Sequence, residues 1–291
     1  QDDTVIEVDI TPNRADAISH YGVARDLAAY FFSKGLPFGL TRPSVDDFKV
    51  DSTKSNIDIA VKNAEACLRY AGVVVSGVTI KESPKWLQDT LNVIGIRPIN
   101  NVVDISNYLL HAFGQPLHTF DADKIEGGKI VVRTAQEGEK FVTLDGVERT
   151  LCANDLMICD ATKPMCIAGV FGGLDSGITD ATTSVFIESA YFNPVFIRKT
   201  ARRFGLHTDA SFRFERGVDP NQIIYVLKLA ALMIKELAGG EIASEITDIY
   251  PSPINDFTVT VSIAKMDSLI GKSLGRETIE KILKGLEIKV L

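Results

Sequence analysis

Between Ile57 and Ser189 the chain alternates short apolar runs with turn signals, and this series of strand-like segments restricts the fold more than any other feature. IDIAV opens the series and an apolar run from Tyr70 to Ile80 follows. Then come KIVVR after Gly127-Gly128, FVTL joined to VERTL by Asp145-Gly146, and DLMIC, MCIAG and SVFIES. Asp-Gly between two strand-like runs is a strong hairpin signal, because the favoured two-residue turns need the positive φ that these residues tolerate. Helical spacing brackets the strands. Ser19 can cap a helix with Val23, Leu27 and Phe31 on one face, stopped by Gly35-Leu36-Pro37. Pro220 opens a long helix in which Ile223, Leu227, Ala230 and Ile234 recur, closed by Gly239-Gly240. A further helix starts at Ser83-Pro84, with Trp86 and Leu87 on its apolar side. Strands in the middle, helices at the flanks and no regular βαβ alternation predict an α+β fold of layered β-sheets flanked by helices.

With 291 residues, 45% of them hydrophobic, the chain can bury the core of one large domain or two ordinary ones. No run approaches the roughly 18 consecutive apolar residues of a membrane span, and QDDTVIEVDI has no basic region leading into an apolar core. A start at Gln and an ending inside a structured pattern read as a fragment of a longer protein. Cys67, Cys152, Cys159 and Cys166 form no C-x-x-C pair and are too sparse for a disulfide framework, so they read as buried small hydrophobes in a reducing cytoplasm, with no metal site. A net charge of −7 repels nucleic acid over the surface as a whole, so any RNA contact must be local. Arg198, Lys199, Arg202, Arg203, Arg213 and Arg216 supply a local concentration, but Glu188, Asp209 and Glu215 lie nearby in sequence. Phosphate contact and internal ion pairing both remain open readings of that cluster.

Unlike functional groups crowd into RPINNVVDISNYLLHAFGQPLHTFD, from Arg97 to Asp121. Asn100 and Asn101 can cap a helix through Phe113, Gly114 can end it, and Pro116-Leu117-His118 turns back out, so Arg97 and His118 sit at opposite ends of one rigid element. Other motifs fail. GVFGGLDSG lacks the Lys and Ser/Thr of a phosphate-binding loop and reads as a tight turn between strands. FRFE, from Phe212 to Glu215, imitates an Arg-x-Glu signature of class II synthetase cores but runs into GVDP and a helix. No G-x-S-x-G elbow or H-E-x-x-H is present, and His20, His111 and His207 read as ordinary surface or satisfied core histidines.

Taken together, the Arg97 segment, FIESAYFNP around Glu188 and KTARRFGLHTDASFRFERGVDP from Lys199 to Pro220 resemble the β subunit of bacterial phenylalanyl-tRNA synthetase, specifically its proofreading module. DITPNRADAISHYGVARDLAAYF is similar to the helical piece preceding that module, and GVFGGLDSG to its glycine-rich loop. The resemblance covers nearly the whole chain. It divides it into a helical segment and linker of the preceding domain (1–55), an editing domain (56–250) and the truncated start of a small αβ domain (251–291). The departures from the family pattern are HTFD for the common HAFD and HAFGQP for LELGQP. Neither touches a pocket position, although Thr119 adjoins His118.

The resemblance implies hydrolysis of tyrosine mischarged onto tRNA for phenylalanine. Carried over residue by residue, the pocket is Arg97, Pro116, His118, Gly169, Gly172, Glu188, Thr208 and Ala210. His118 would orient or deprotonate water, a ribose hydroxyl of the substrate being an alternative base. Glu188 would accept the tyrosine hydroxyl beside the Gly172 N–H, or pair with an arginine. Arg97 and Thr208 would face the terminal adenosine, Pro116 and Ala210 would wall the ring, and Gly169 and Gly172 would let the backbone approach a ligand. Arg202 and Arg203 are the candidate tRNA contacts. Editing needs no cofactor, whereas the complete synthetase, expected as an α2β2 assembly with its α subunit, uses ATP and magnesium. A non-catalytic tRNA-positioning or assembly module and a freestanding hydrolase of another ester are the competing readings.

Overall fold

The computed structural model describes residues 4–291. α1 (His20–Ser33) precedes β1 (Asp58–Val61) and β2 (Cys67–Ser76), and then come α2 (Lys85–Val93), α3 (Asn101–Phe113), β3 (Leu117–Asp121) and β4 (Lys129–Thr134). A short hairpin, β5 (Lys140–Val142) and β6 (Glu148–Thr150), turns through Gly146 at φ 76°, as its Asp-Gly signal predicts. β7 (Leu156–Cys159), β8 (Pro164–Ile167), β9 (Phe171–Gly172) and β10 (Ser184–Phe192) complete the strand series. After it lie α4 (Pro194–Phe204), α5 (Asp209–Phe214), α6 (Ile223–Ala238), β11 (Glu241–Ile242) and β12 (Thr247–Ile249), then α7 (Ile263–Ile270) and α8 (Arg276–Gly285).

The strands form an α+β architecture of stacked layers. One sheet runs β1-β4-β7-β8-β9, with β1 and β4 parallel and the other pairs antiparallel. The other runs β11-β2-β10-β3, antiparallel throughout, with β12 also on β2. This second sheet is the middle layer. Alternate residues of its strands point to opposite faces, so Tyr70, Val74, Phe120 and Phe186 pack toward the first sheet, against Ile130, Ile158 and Cys166. Val73, Val75, Val185 and Ile187 pack instead against Leu87 of α2, Ile105 and Leu109 of α3, and Leu227 and Ile234 of α6. Burial on both faces explains why β2 reads as an unbroken apolar run rather than an alternating one.

α3 follows its capping signals closely. Asn100 accepts from the Val102 and Val103 N–H groups, and Gly114 ends the helix at φ 76°. Asn101, the first helical residue, is fully buried and ties Lys81, Thr79 and Leu237 to it. α6 starts at Ile223 rather than Pro220, whose carbonyl accepts from Arg69 instead, while Ile223, Leu227, Ala230 and Ile234 are all buried. Trp86 departs from its expected place: Leu87 fills the core, whereas Trp86 is 48% exposed, edge-on to Tyr108.

α1 also departs. Leu27, expected on the apolar face, is 52% exposed, and the helix buries Gly22, Ala28 and Ala29. Small residues win because the neighbours come very close: a Cβ at Gly22 would lie 2.6 Å from the Ala17 Cα, and one at Gly285 of α8 would lie 2.6 Å from the Ala29 Cα. Glu287 pairs with Arg25 and Arg42 at the same contact. The two ends of the described chain therefore pack on each other. Beyond Ile249 the described residues form helices α7 and α8, with no strand of the expected αβ unit.

Candidate functional site

β3 lies beside β10 with His118 directly opposite Glu188, and β2 lies on the other side of β10 with Gly72 opposite Glu188. Directly opposed residues project from the same face, their Cβ atoms about 5 Å apart. His118 and Glu188 thus point together toward the first sheet, along with Phe120, Phe186 and Tyr70. β9 supplies the facing wall, where a Cβ on Gly172 would come to 3.4 Å from the His118 Cε1. At this position glycine is what lets the backbone approach the imidazole. Across the ladder Gly172 pairs with Cys166.

Glu188 is buried, and the Tyr70 hydroxyl donates to its Oε2 at 2.6 Å. Loss of solvent pushes its carboxyl up to about 7, a shift that the Tyr70 hydrogen bond opposes. Its Oε1 has no hydrogen-bond partner among the described residues, yet it is not one of the unpartnered atoms sealed from solvent. The ion pair considered for Glu188 does not form: no arginine, lysine or histidine lies within pairing distance among the described residues. His118 is half-buried, packed edge-on to Phe120 with ring centroids 4.4 Å apart. Burial holds its imidazolium down at about 4, so the ring is neutral at neutral pH. Neither ring nitrogen hydrogen-bonds to another side chain or backbone group among the described residues, and no ion pair joins His118 to Glu188. A neutral imidazole and a buried acidic group therefore project side by side from one sheet face without satisfying each other.

The other candidates separate. Pro116 is buried at the entrance to β3, where the Gln115 amide donates to the Pro116 and Ala190 carbonyls and pins that strand to β10. Ala210 packs half-buried against the core between the sheets. The Thr208 hydroxyl is engaged within the fold. It caps α5 by accepting from Ser211 N at 3.0 Å and donates to the Val170 carbonyl at 3.1 Å, which ties α5 to the loop before β9. Gly169 is fitted to its neighbours: at φ 66°, a Cβ there would lie 2.8 Å from Phe214 and 3.0 Å from Phe192. It is required by packing and conformation. Arg97 is exposed before α3, and the helix's 13 residues, about 20 Å at 1.5 Å rise, separate it from His118.

The basic cluster divides as well. Arg203 bonds Asp155 and the Thr150 carbonyl and lies over the Phe204 ring, so it does not stand free for phosphate. Arg213 is buried against Asp209 and His111, and Arg216 bonds Glu215 and the Phe212 carbonyl. Arg198, Lys199 and Arg202 remain exposed on α4 with no partner among the described residues.

Tyr70 escaped the sequence reading because it opens an apolar run and looks like core, which it also is. Only the register of β2 against β10 brings its hydroxyl to Glu188. A cavity of about 180 Å³ opens on this sheet face around Gly72, Val74, Phe186, Asn56 and Ser244, and neither His118 nor Glu188 lines it.

Residues 66–239 match the family model described as the B3/4 domain, so the chain belongs to the B3/4 domain family. More particularly, it is 64% identical over 289 residues to the phenylalanine–tRNA ligase beta subunit of Bacteroides fragilis, covering 99% of this chain and 35% of that protein. The same subunit of Porphyromonas gingivalis is 53% identical over 291 residues, again 35% of its length. The chain thus spans about a third of the curated relatives it matches. A solved N-terminal fragment of the phenylalanyl-tRNA synthetase beta-subunit from Pyrococcus horikoshii is 17% identical, with a TM-score of 0.44, over 96% of this chain and 76% of that one.

Proposed function

We propose that this chain hydrolyses tyrosine mischarged onto tRNA(Phe), as the editing portion of a phenylalanine–tRNA ligase β subunit. The observation that carries the reading is the Glu188 carboxylate: it already accepts a phenolic O–H, that of Tyr70, while its second oxygen has no partner among the described residues. A tyrosyl substrate offers the same donor, and phenylalanine offers none. A merely apolar pocket discriminates weakly against one extra hydroxyl, whereas a buried acceptor left unpaired penalises the analogue that lacks it.

The ester needs little chemical activation. His118, neutral and beside the Gly172 backbone, can hold water by a ring nitrogen next to the carbonyl carbon. An imidazole depressed to about 4 and without a hydrogen-bonded orienting partner is a weak general base. Water orientation, with a ribose hydroxyl of the substrate as the competing base, therefore suits this ring better than full proton abstraction. Among the described residues no Ser or Cys hydrogen-bonds to His118 as a nucleophile would, and Cys67 and Cys166 are held up as thiols by burial and by the nearby Glu188. Arg97, a helix length away, can serve only the nucleotide end of an aminoacyl-tRNA.

ATP and magnesium are assigned to the complete synthetase and its α subunit, in an α2β2 assembly acting in the cytoplasm; no residue of this chain is given a step with them. Among the described residues no group of three or more His, Cys, Asp or Glu could hold a metal ion, and no helix is long and apolar enough to cross a membrane.

The test is deacylation of Tyr-tRNA(Phe) and Phe-tRNA(Phe) by this chain and by the full-length synthetase. Faster release of tyrosine than of phenylalanine is expected. Equal rates, or tRNA binding with no release from either, would favour a tRNA-positioning module instead.

A further inference from the structure

Tyr70 is fully buried on β2, where its ring is part of the core and its hydroxyl meets Glu188. It pairs with Ala190, two residues along β10 from Glu188, so both side chains leave the same face of the middle sheet. The residue between them on that face of β2 is Gly72, directly opposite Glu188. A Cβ at Gly72 would fall 2.2 Å from the Phe186 ring, so that ring covers the space above it and the phenol of Tyr70 reaches Glu188 diagonally. The contact, at 2.6 Å, is the only hydrogen bond of the Tyr70 hydroxyl among the described residues. A phenylalanine would fill the same apolar volume. The hydroxyl is therefore explained by the carboxylate it serves.

We propose that Tyr70 is a positioning residue of this site, whose hydroxyl clamps Oε2 of Glu188 so that Oε1 stays turned to the tyrosine hydroxyl of the substrate. The proposal rests on the editing reading above and adds the residue that sets the geometry and charge of its acceptor. Clamping does two things. It fixes a carboxylate that would otherwise swing between rotamers, so less order is lost when substrate binds. It also stabilises the ionised form against a burial that favours the neutral one.

Among the described residues no other group facing Glu188 bonds it: Cys67 of β2 and Cys166 of β8 stay as thiols that donate to backbone carbonyls, and His118 of β3 stays neutral above about pH 4. The pH dependence of tyrosine selectivity near neutrality is accordingly that of Glu188 alone. Selectivity rises as pH climbs through about 7, and removing the clamp moves that rise to higher pH.

The experiment compares wild type, Tyr70→Phe and Glu188→Ala in the full-length synthetase. It follows the ratio of Tyr-tRNA(Phe) to Phe-tRNA(Phe) deacylation from about pH 5.5 to about pH 9. Tyr70→Phe is expected to lower the ratio about three- to tenfold at neutral pH, the size of one charge-assisted hydrogen bond acting indirectly, and to move its midpoint upward. Incorporation of 3-fluorotyrosine at position 70, a more acidic and stronger donor of nearly equal size, is expected to move the midpoint downward. A structural role predicts no such opposite shifts. A ratio and midpoint unchanged in both variants, with selectivity lost in Glu188→Ala, would overturn the positioning role and leave the editing reading standing. Wild type with no preference for Tyr-tRNA would overturn both.

Discussion

The two faces of the middle sheet are built from alternate residues of the same strands, yet they are fitted for different purposes. Toward α2, α3 and α6, β10 presents Val185 and Ile187, each at 0% exposure in an apolar cluster. Toward the first sheet the same strand presents Phe186 and Glu188, among Tyr70, Phe120, Cys166 and the half-buried His118. Ile187 and Glu188 are neighbours in sequence and are both buried. One contributes stability by removing apolar surface from water, and the other costs stability because burial opposes its charge. On the helix side the buried polar residue of β10 is Ser189, whose hydroxyl is satisfied by the Ile223 carbonyl. Glu188 is instead an acidic group kept at a cost to stability with one oxygen unbonded among the described residues, as the proposed recognition of a substrate hydroxyl requires.

The sharpest contrast comes from substituting the apolar face. Ile187→Ala is expected to lose about 2–5 kcal/mol of unfolding free energy, the usual cost of truncating a fully buried aliphatic side chain in a packed core. The ratio of Tyr-tRNA to Phe-tRNA deacylation by the folded fraction should stay at the wild-type value. Urea unfolding combined with single-turnover deacylation measures both. A large change in the ratio would mean that the two faces are coupled and that the comparison fails.

On the polar face, His118→Ala is expected to slow Tyr-tRNA hydrolysis by roughly 10- to 10³-fold, the lower end matching water orientation and the upper a general base. Because the ring is neutral above about pH 4, its protonation should leave no limb in the rate profile between about pH 5.5 and about pH 9. Stability should fall only by the packing that the ring makes with Phe120, since it makes no hydrogen bond to other described residues. A folded variant with the wild-type rate would take His118 out of the chemistry.

Glu188→Gln separates recognition from folding at one residue. Selectivity for Tyr-tRNA over Phe-tRNA should fall roughly ten- to a hundredfold, because the ionised acceptor is replaced by a neutral one. Stability should move the other way. The folded-state carboxyl, raised to about 7, binds its proton more tightly than the unfolded one, so its contribution is fully present below the unfolded value of about 4.5 and is lost as pH rises through about 7. Glutamine has no charge to bury, so the variant should gain on wild type by about 1–3 kcal/mol at alkaline pH and show no such gain under acid conditions. Parallel loss of stability and selectivity at all pH values would show that Glu188 is structural.

Much of this contrast is legible in the sequence, but unevenly. Capping and turn chemistry are local, so Asn100, Gly114 and Asp145-Gly146 announce their elements, and the buried positions of α6 follow from its spacing. The resemblance places His118 and Glu188 in one pocket, and the strand register puts them opposite each other. Tyr70 cannot be read, since a tyrosine within an apolar run looks the same whether its hydroxyl meets water or a carboxylate 118 residues away. The parts that Thr208 and Gly169 play in a helix cap and in aromatic packing depend on tertiary neighbours and cannot be read from their residue types. α1 misleads for a different reason: periodicity reports which residues are apolar, whereas close helix approach at Gly22 and Ala29 selects small ones.

The basic residues offer the mildest effect and a second comparison within one helix. Arg202 and Arg203 are adjacent on α4 and both are candidate tRNA contacts by sequence, but Arg203 is engaged with buried Asp155 while Arg202 is exposed and unpaired among the described residues. Every phosphate that the protein ceases to neutralise reduces the salt-dependence slope of RNA binding by a little under one unit. Replacing Arg198, Lys199 and Arg202 together by Ala is therefore expected to weaken tRNA binding and flatten the slope of log affinity against log salt by about two units. Arg203→Ala should leave that slope unchanged. It should lower unfolding free energy by about 1–3 kcal/mol instead, because Asp155 keeps only its bonds from Thr200 and Cys152. Filter binding of tRNA(Phe) at several salt concentrations, beside urea unfolding of each variant, distinguishes the two roles. A slope that responds to Arg203 and ignores the exposed trio would move the RNA path to the other side of α4, toward the β5–β6 hairpin whose Thr150 carbonyl Arg203 holds.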